Sequence, residues 1–406
     1  MNIPLEEIIE SFEDCRRNKR STYNELEFEI NRTENLVNLW RDLKNDRYQI
    51  GKSIAFVVKY PKPREIFAAD FRDRIIHHFI IRHLESYFEK DFIDDNYNCR
   101  VGKGTLYGVK RLSEKIKVAS ENYTRNDLWV GKFDMKGFFM SIDKEILWRM
   151  LEKFIQDRYD GPYKNEILIL TEKVVKNRPQ DNCIRRSDLK DWELLGEGKS
   201  LFTINPELGL PIGNLTSQVF ANFYLHEFDR EMLELYPLGY GRYVDDFYVL
   251  ARSKEDITKK VNWMREYLHK NLKVNLHKDK VYIQHYKKGI KFTGGVVMCN
   301  RIYTGNRPIS KLLKIIHWYN TQEFSMNLLW DLSVILNSYL GLLKHSQSYG
   351  IRKKVWESIA PDWKEKLTFN SSIYKASIKK DYRETYVKLN EYEQSNSIFW
   401  TAARFE

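Results

Sequence analysis

Two adjacent carboxylates, Asp245 and Asp246, stand in the run Gly241-Arg242-Tyr243-Val244-Asp245-Asp246-Phe247-Tyr248-Val249-Leu250. β-Branched and aromatic residues on both sides predict a strand, a tight turn and a second strand. Such a hairpin holds its acids at the tip, where they suit Mg²⁺, a hard cation that takes oxygen ligands and keeps waters and substrate phosphates in its shell. By itself the pattern also fits an ordinary hairpin turn. Upstream, Val130-Gly131-Lys132-Phe133-Asp134 brings an apolar run to one acid, with Phe138 and Phe139 soon after. Alone, Asp134 reads as a helix N-cap. Together the three acids fit phosphoryl transfer with two metal ions, which needs carboxylates from separate strands converging on ions roughly 3.5–4 Å apart.

Between the acidic motifs, Gly209-Leu210-Pro211-Ile212-Gly213-Asn214 supplies a constrained loop. The Thr216-Ser217-Gln218 run then opens a long amphipathic helix through Phe220, Phe223, Tyr224 and Phe228. A loop entering a helix can lay its backbone against a nucleotide. Nearer the N-terminus, Lys59-Tyr60-Pro61-Lys62-Pro63-Arg64 is basic and stiffened by proline, and guanidinium forks match phosphate oxygens. Arg72 and Arg74 each have an acidic neighbour, so a solvated surface serves equally for them. Arg100-Val101-Gly102-Lys103-Gly104-Thr105 is no P-loop, because its glycine spacing is wrong and no Gly-Lys-Ser/Thr ends it.

In this order the three motifs resemble those of reverse transcriptases. The resemblance implies an α+β, right-hand polymerase fold with fingers, a palm built on an antiparallel sheet, and a helical thumb. It implies an RNA-directed DNA polymerase, a nucleotidyltransferase, with Asp134, Asp245 and Asp246 catalytic. Two Mg²⁺ ions would be held by these acids and the Met135 backbone carbonyl. Lys62, Arg64, Phe139, Ile212, Gly213, Gln218 and Lys280 would surround the incoming nucleotide, with Phe139 set against a ribose 2′-hydroxyl and Lys280 able to protonate pyrophosphate. Arg100, Lys103, Tyr349, Arg352 and Lys353 would contact nucleic acid. Gly289-Ile290-Lys291-Phe292-Thr293-Gly294-Gly295 resembles the primer-grip hairpin, with Thr293 where Leu is usual.

Within that family, Ile212-Gly213 followed by Ser217-Gln218 resembles the enzymes of diversity-generating retroelements. Pro63-Arg64-Glu65-Ile66, Lys199-Ser200-Leu201-Phe202 and Asn337-Ser338-Tyr339 look like the same group. Related antiphage defence reverse transcriptases share this core. Either role implies dNTPs, a structured non-coding RNA template and primer, and an accessory protein or second subunit. A non-catalytic RNA-binding scaffold is the rival from another class, and the intact carboxylates speak against it.

The chain has 406 residues, and 67 Lys plus Arg against 56 Asp plus Glu give a net charge of +11, the balance of a protein that tracks phosphate backbones. Cys15, Cys99, Cys183 and Cys299 lie far apart, which argues against a disulfide framework or zinc site. His77, His78 and His83 on an apolar helix read as packing. No apolar run approaches the roughly 20 residues of a membrane span, and the N-terminus lacks a signal peptide's apolar core. A cytoplasmic protein without a membrane partner is the expectation. Residues 1–50 read as a helical extension, 51–300 as fingers and palm with a polar insertion at 178–198, and 301–406 as a helical thumb and tail. The tail, 367–406, carries no assignable role, and no space is expected for a ribonuclease H domain.

Overall fold

The computed structural model describes residues 1–17 and 22–384. The chain divides into two compact units: Met1–Gly108 with Arg125–His285, and Val109–Thr124 with the chain from Tyr286 onward. These boundaries differ from those expected at 50 and 300. At the front, the helices pack into the same core as the rest of the first unit. Ile8, Phe12, Leu36, Leu39 and Leu43 are buried in one cluster with Phe71, Phe79 and Ile80. The helix Leu5–Arg16 shows why, since Ile8, Phe12 and Cys15 recur at helical spacing and all three are buried. The partner helix Phe71–Asp91 starts where the Asp70 side chain accepts a hydrogen bond from Arg72 N, and it buries residues around most of its circumference.

Strands β1 (Ser53–Val58) and β2 (Arg64–Ala68) form an antiparallel hairpin pairing Val58 with Arg64 beside its connecting loop. Strand β3 (Trp129–Asp134) is central to the second sheet of this unit. The expected polar insertion proves to be partly structural. It contributes β4 (Cys183–Arg185), which adds parallel to β1. Three residues, two of them exposed, are too few to give a strand period in the sequence.

Strands β5 (Tyr240–Tyr243), β6 (Asp246–Ala251) and β7 (Tyr282–His285) complete the second sheet in the order β5-β6-β3-β7, antiparallel throughout. Side chains alternate between its two faces. A Cβ at Gly131 would stand 3.0 Å from Ile257 of the helix Lys254–Leu272, so the Gly131 and Phe133 face of β3 is the packed one. Lys132 and Asp134 therefore occupy the opposite face. The long helix expected after the Pro-Gly loop is two helices, Leu215–Tyr224 and His226–Leu235, broken at Leu225. The His226 ring is hydrogen-bonded to the Phe223 carbonyl at this break, a side-chain interaction that apolar spacing does not report.

In the second unit, β8 (Ile290–Phe292), β9 (Gly295–Met298) and β10 (Arg301–Thr304) form an antiparallel meander. The helices Asn306–Asn320 and Met326–Leu343 bury Leu312, Ile316, Leu329, Leu332, Leu336 and Leu340 in a separate core. Met326–Leu343, with 18 residues of mean hydropathy 1.2, is the one described helix long and apolar enough to cross a membrane by length and composition. The leucines in its core face account for much of that hydropathy, while Asp331, Ser333 and Asn337 interrupt the run.

Candidate active site

Register brings the acids together. Asp134 at the end of β3 lies directly opposite Asp246 at the start of β6. The Met135 N–H donates to the Asp245 carbonyl at 3.2 Å, tying the β3 exit to the turn. Val244 and Asp245 form that turn, and the β-branched Val244 sits at φ 58°, a conformation such residues rarely adopt. A two-residue hairpin turn requires φ > 0 at its first central position, and a buried cation braces it from beneath. Arg242, fully buried, donates to the Val244 carbonyl at 2.8 Å while its other nitrogens grip Asp229.

The electrostatics are those of crowded carboxylates. Burial first, and then repulsion from Asp134 and Asp246, pushes Asp245 up to about 6. Burial likewise raises Asp246, and the Lys132 ammonium, 3.4 Å away, opposes the rise. Lys280 donates a short hydrogen bond to Asp134, and that contact raises the lysine. Among the described residues, no set of three or more His, Cys, Asp or Glu side chains is arranged to hold a metal ion. Two of the three acids turn to lysines instead. The donor set still fits a hard divalent cation: mutually repelling carboxylates, two ammonium groups already drawn to them, and a Met135 carbonyl that accepts no described backbone hydrogen bond.

The central loop packs against the β1–β2 hairpin. The Ile212 carbonyl accepts from Phe67 N at 2.9 Å, and Asn214 Oδ1 accepts from Ala69 N at 3.1 Å. Gly213 is required there: at φ +123°, a Cβ would stand 2.9 Å from Ile66 and 3.2 Å from the Phe67 carbonyl. Ile212 is half-buried against the small cluster of Ala55, Phe67, Met140 and Leu201. Gln218 Oε1 accepts from the Cys99 thiol. Phe138 is core at 2% exposure, whereas its neighbour Phe139 is half-buried, the two rings meeting edge to face.

Arg64 is exposed at the start of β2. Burial raises the Tyr243 hydroxyl, and the Arg64 guanidinium acts in the opposite direction. Lys62 lies in the exposed β1–β2 loop. Beside Arg64, Glu65 is 1% exposed and accepts from Trp192 Nε1, Ser200 Oγ and Leu201 N at 2.5–2.7 Å. This carboxylate joins β2 to the end of the insertion, linking two motifs that the sequence leaves 135 residues apart.

Three of the residues expected to contact nucleic acid are engaged within their own units. Arg100 is clasped by Glu89 and by the Ile93 and Asn96 carbonyls, with its side chain only 5% exposed. Lys103 is turned onto Asp94. Arg352 is buried, bonded to Ser348 and the Ser372 carbonyl and lying over the Tyr374 ring. Each ties parts of its own unit together, and buried Arg352 in particular needs partners that only the fold supplies. Tyr349 and Lys353 do lie at the surface of the second unit, Lys353 beside Glu357. Lys132, Arg242, Asp229 and Glu65 were not singled out as site residues, and no spacing rule separates them from other charged residues. Only the diagonal of a sheet or a buried contact identifies them.

A family model described as reverse transcriptase (RNA-dependent DNA polymerase) matches residues 59–297, more than half of the chain. Protein YkfC of Escherichia coli (strain K12) is 22% identical over 349 residues, covering 78% of this chain and 83% of that protein. Among solved structures, Candida albicans telomerase in complex with a telomeric RNA fragment shares 11% identity at a TM-score of 0.45, over 76% of this chain and 55% of that one. Apo telomerase from Candida tropicalis gives 11% and 0.46, over 85% and 67%. The chain thus spans little more than half of the first of these two telomerase chains. With the palm motifs inside the matched span, and that span covering most of the chain, this protein belongs to the reverse transcriptase (RNA-dependent DNA polymerase) family.

Proposed function

We propose that this enzyme copies a dedicated structured RNA into cDNA at Asp134, Asp245 and Asp246, as in diversity-generating retroelements. The observation that carries the site is the register of β3 against β6, which sets Asp134 opposite Asp246 with Asp245 hydrogen-bonded to the next residue. These carboxylates, with the Met135 carbonyl, would hold Mg²⁺, two ions in the fullest reading. Bound there, the cations would neutralise developing charge and lower the pKa of a primer 3′-hydroxyl. Phe139 would lie beneath the sugar, where a planar ring leaves no room for a 2′-hydroxyl. Arg64 would take the triphosphate, while Ile212 and Gly213 pack beside the base. Lys280 would hand a proton to the leaving pyrophosphate. Template RNA, primer, dNTPs and an accessory protein or second subunit are the partners of this reading.

Support for the diversification role comes from Ile212, which offers an incoming base neither donor nor acceptor, and from the Glu65–Ser200 contact joining two segments that resemble that group. An antiphage defence enzyme working with its own non-coding RNA would use the same palm. Primer extension on an RNA template, wild type beside Asp245→Asn, tests the chemistry. Wild-type activity lost in the variant supports it; equal activity in both overturns the site, and activity in neither favours an RNA-holding scaffold.

A further inference from the structure

Two ammonium groups stand on the acidic cluster, and their mountings differ. Lys280 lies on an irregular segment before β7, and its side chain is 45% exposed. It can swing away from Asp134. Lys132 sits inside β3, paired with Tyr248 of β6 on one side and Tyr282 of β7 on the other, and its side chain is 25% exposed. Residues two apart on a strand share a face, so Lys132 and Asp134 do. Since Asp246 lies opposite Asp134, Lys132 is its diagonal neighbour, within reach of a long side chain. The Nζ–Oδ1 separation is 3.4 Å. Asp245 makes no ion pair among the described residues, and the Lys280 ammonium only weakly offsets the burial and repulsion that act on it.

We propose that Lys132 is a positioning residue that holds Asp246 as a compensated carboxylate and so lowers the affinity of the acidic cluster for a divalent cation. This rests on the metal-assisted reading above. The backbone of Lys132 is fixed by ladders on both sides, so its ammonium remains near Asp246 when an ion arrives, whereas that of Lys280 can leave. An incoming cation competes with Lys132 for Asp246 and is repelled by it. Asp134 and Asp245 are left as the principal ligands, and Asp246 contributes less.

Mn²⁺ binding to the full-length protein without nucleic acid, followed by loss of the free-ion paramagnetic resonance signal, tests this apart from activity. Lys132→Met keeps the aliphatic stem and removes the charge; it should bind Mn²⁺ roughly tenfold more tightly at low salt, the scale of one unit charge acting across a partly screened site. Lys132→Arg should remain near wild type. In an Asp246→Asn background the gain from Lys132→Met should shrink several-fold, because no carboxylate is left to release. Lys132→Gln serves if Lys132→Met does not fold. Unchanged affinity in a folded, charge-free variant overturns the proposal, and so does an undiminished gain without Asp246. If wild type and Asp245→Asn bind Mn²⁺ alike, the metal site itself is misassigned and the proposal falls with it.

Discussion

Arg242 donates two hydrogen bonds of 2.6 Å to the two carboxylate oxygens of Asp229, and neither side chain reaches solvent. The Tyr240 hydroxyl donates to the same carboxylate at 2.6 Å. From this anchored position the guanidinium extends to the Val244 carbonyl and to that of Asn222. One buried cation thus holds the left-handed turn carrying Asp245 and the helix that leads from the central loop.

Breaking one half of that pair leaves a buried, uncompensated charge. Arg242→Met should destabilise the first unit by about 3–5 kcal/mol, and Asp229→Leu similarly. The double variant should recover part of the loss, read from denaturant midpoints. Polymerisation should fall in the two variants that lack Arg242, because the Val244 carbonyl loses its donor.

Asp245→Asn should stabilise the metal-free protein while removing polymerisation. Asp245 has its pKa raised, so the folded state binds its proton more tightly than the unfolded chain does. Its contribution to stability is greatest below about 4 and is lost as pH rises through about 6. Above that window the charged side chain costs on the order of 1–3 kcal/mol. The variant should therefore melt a few degrees higher than wild type at pH 7.5 in chelator, and the gap should close toward pH 4. An equal melting temperature at pH 7.5 would contradict the crowding.

Phe139 and Phe138 give a matched comparison. Phe139→Ala should raise ribonucleotide incorporation with little effect on melting. Phe138→Ala, which empties a core position, should cost about 3–5 kcal/mol and leave sugar selection largely unchanged. If both variants admit ribonucleotides equally, the gate lies elsewhere.

Ile212→Gln should tighten base selection. A glutamine amide can brace a correctly paired nucleotide, and about 1.4 kcal/mol of added discrimination lowers misincorporation roughly tenfold. Arg64→Ala should also alter misincorporation. Sequencing cDNA copied from one adenine-containing template reads both effects, and identical error spectra for wild type and Ile212→Gln would remove the case for a mutagenic role.

Much of the palm was legible because its signals are local. An Asp pair between β-branched and aromatic runs specifies a hairpin, and the strand period assigns each side chain a face. The order of the motifs tied β3 to that hairpin, whereas β7 carried no comparable signal. Arg100, Lys103 and Arg352 share one ambiguity: a basic residue in sequence looks the same whether it meets solvent or a partner within the chain. Their partners, Glu89, Asp94 and the Ser372 carbonyl, are fixed by the fold. The break at Leu225 and the strand β4 were hidden similarly, one by a side-chain contact, the other by its three-residue length.

The insertion has a practical consequence for handling this protein as two polypeptides. Its residues 196–199 are exposed and lie between two attachments, the β4 ladder on β1 and the Glu65 clasp at Ser200 and Leu201. A backbone cut there severs neither. Fragments 1–197 and 198–406, expressed together, are therefore a natural split-enzyme pair, with Asp134 on one piece and the Asp245–Asp246 turn on the other, so that complementation of activity would report reassembly.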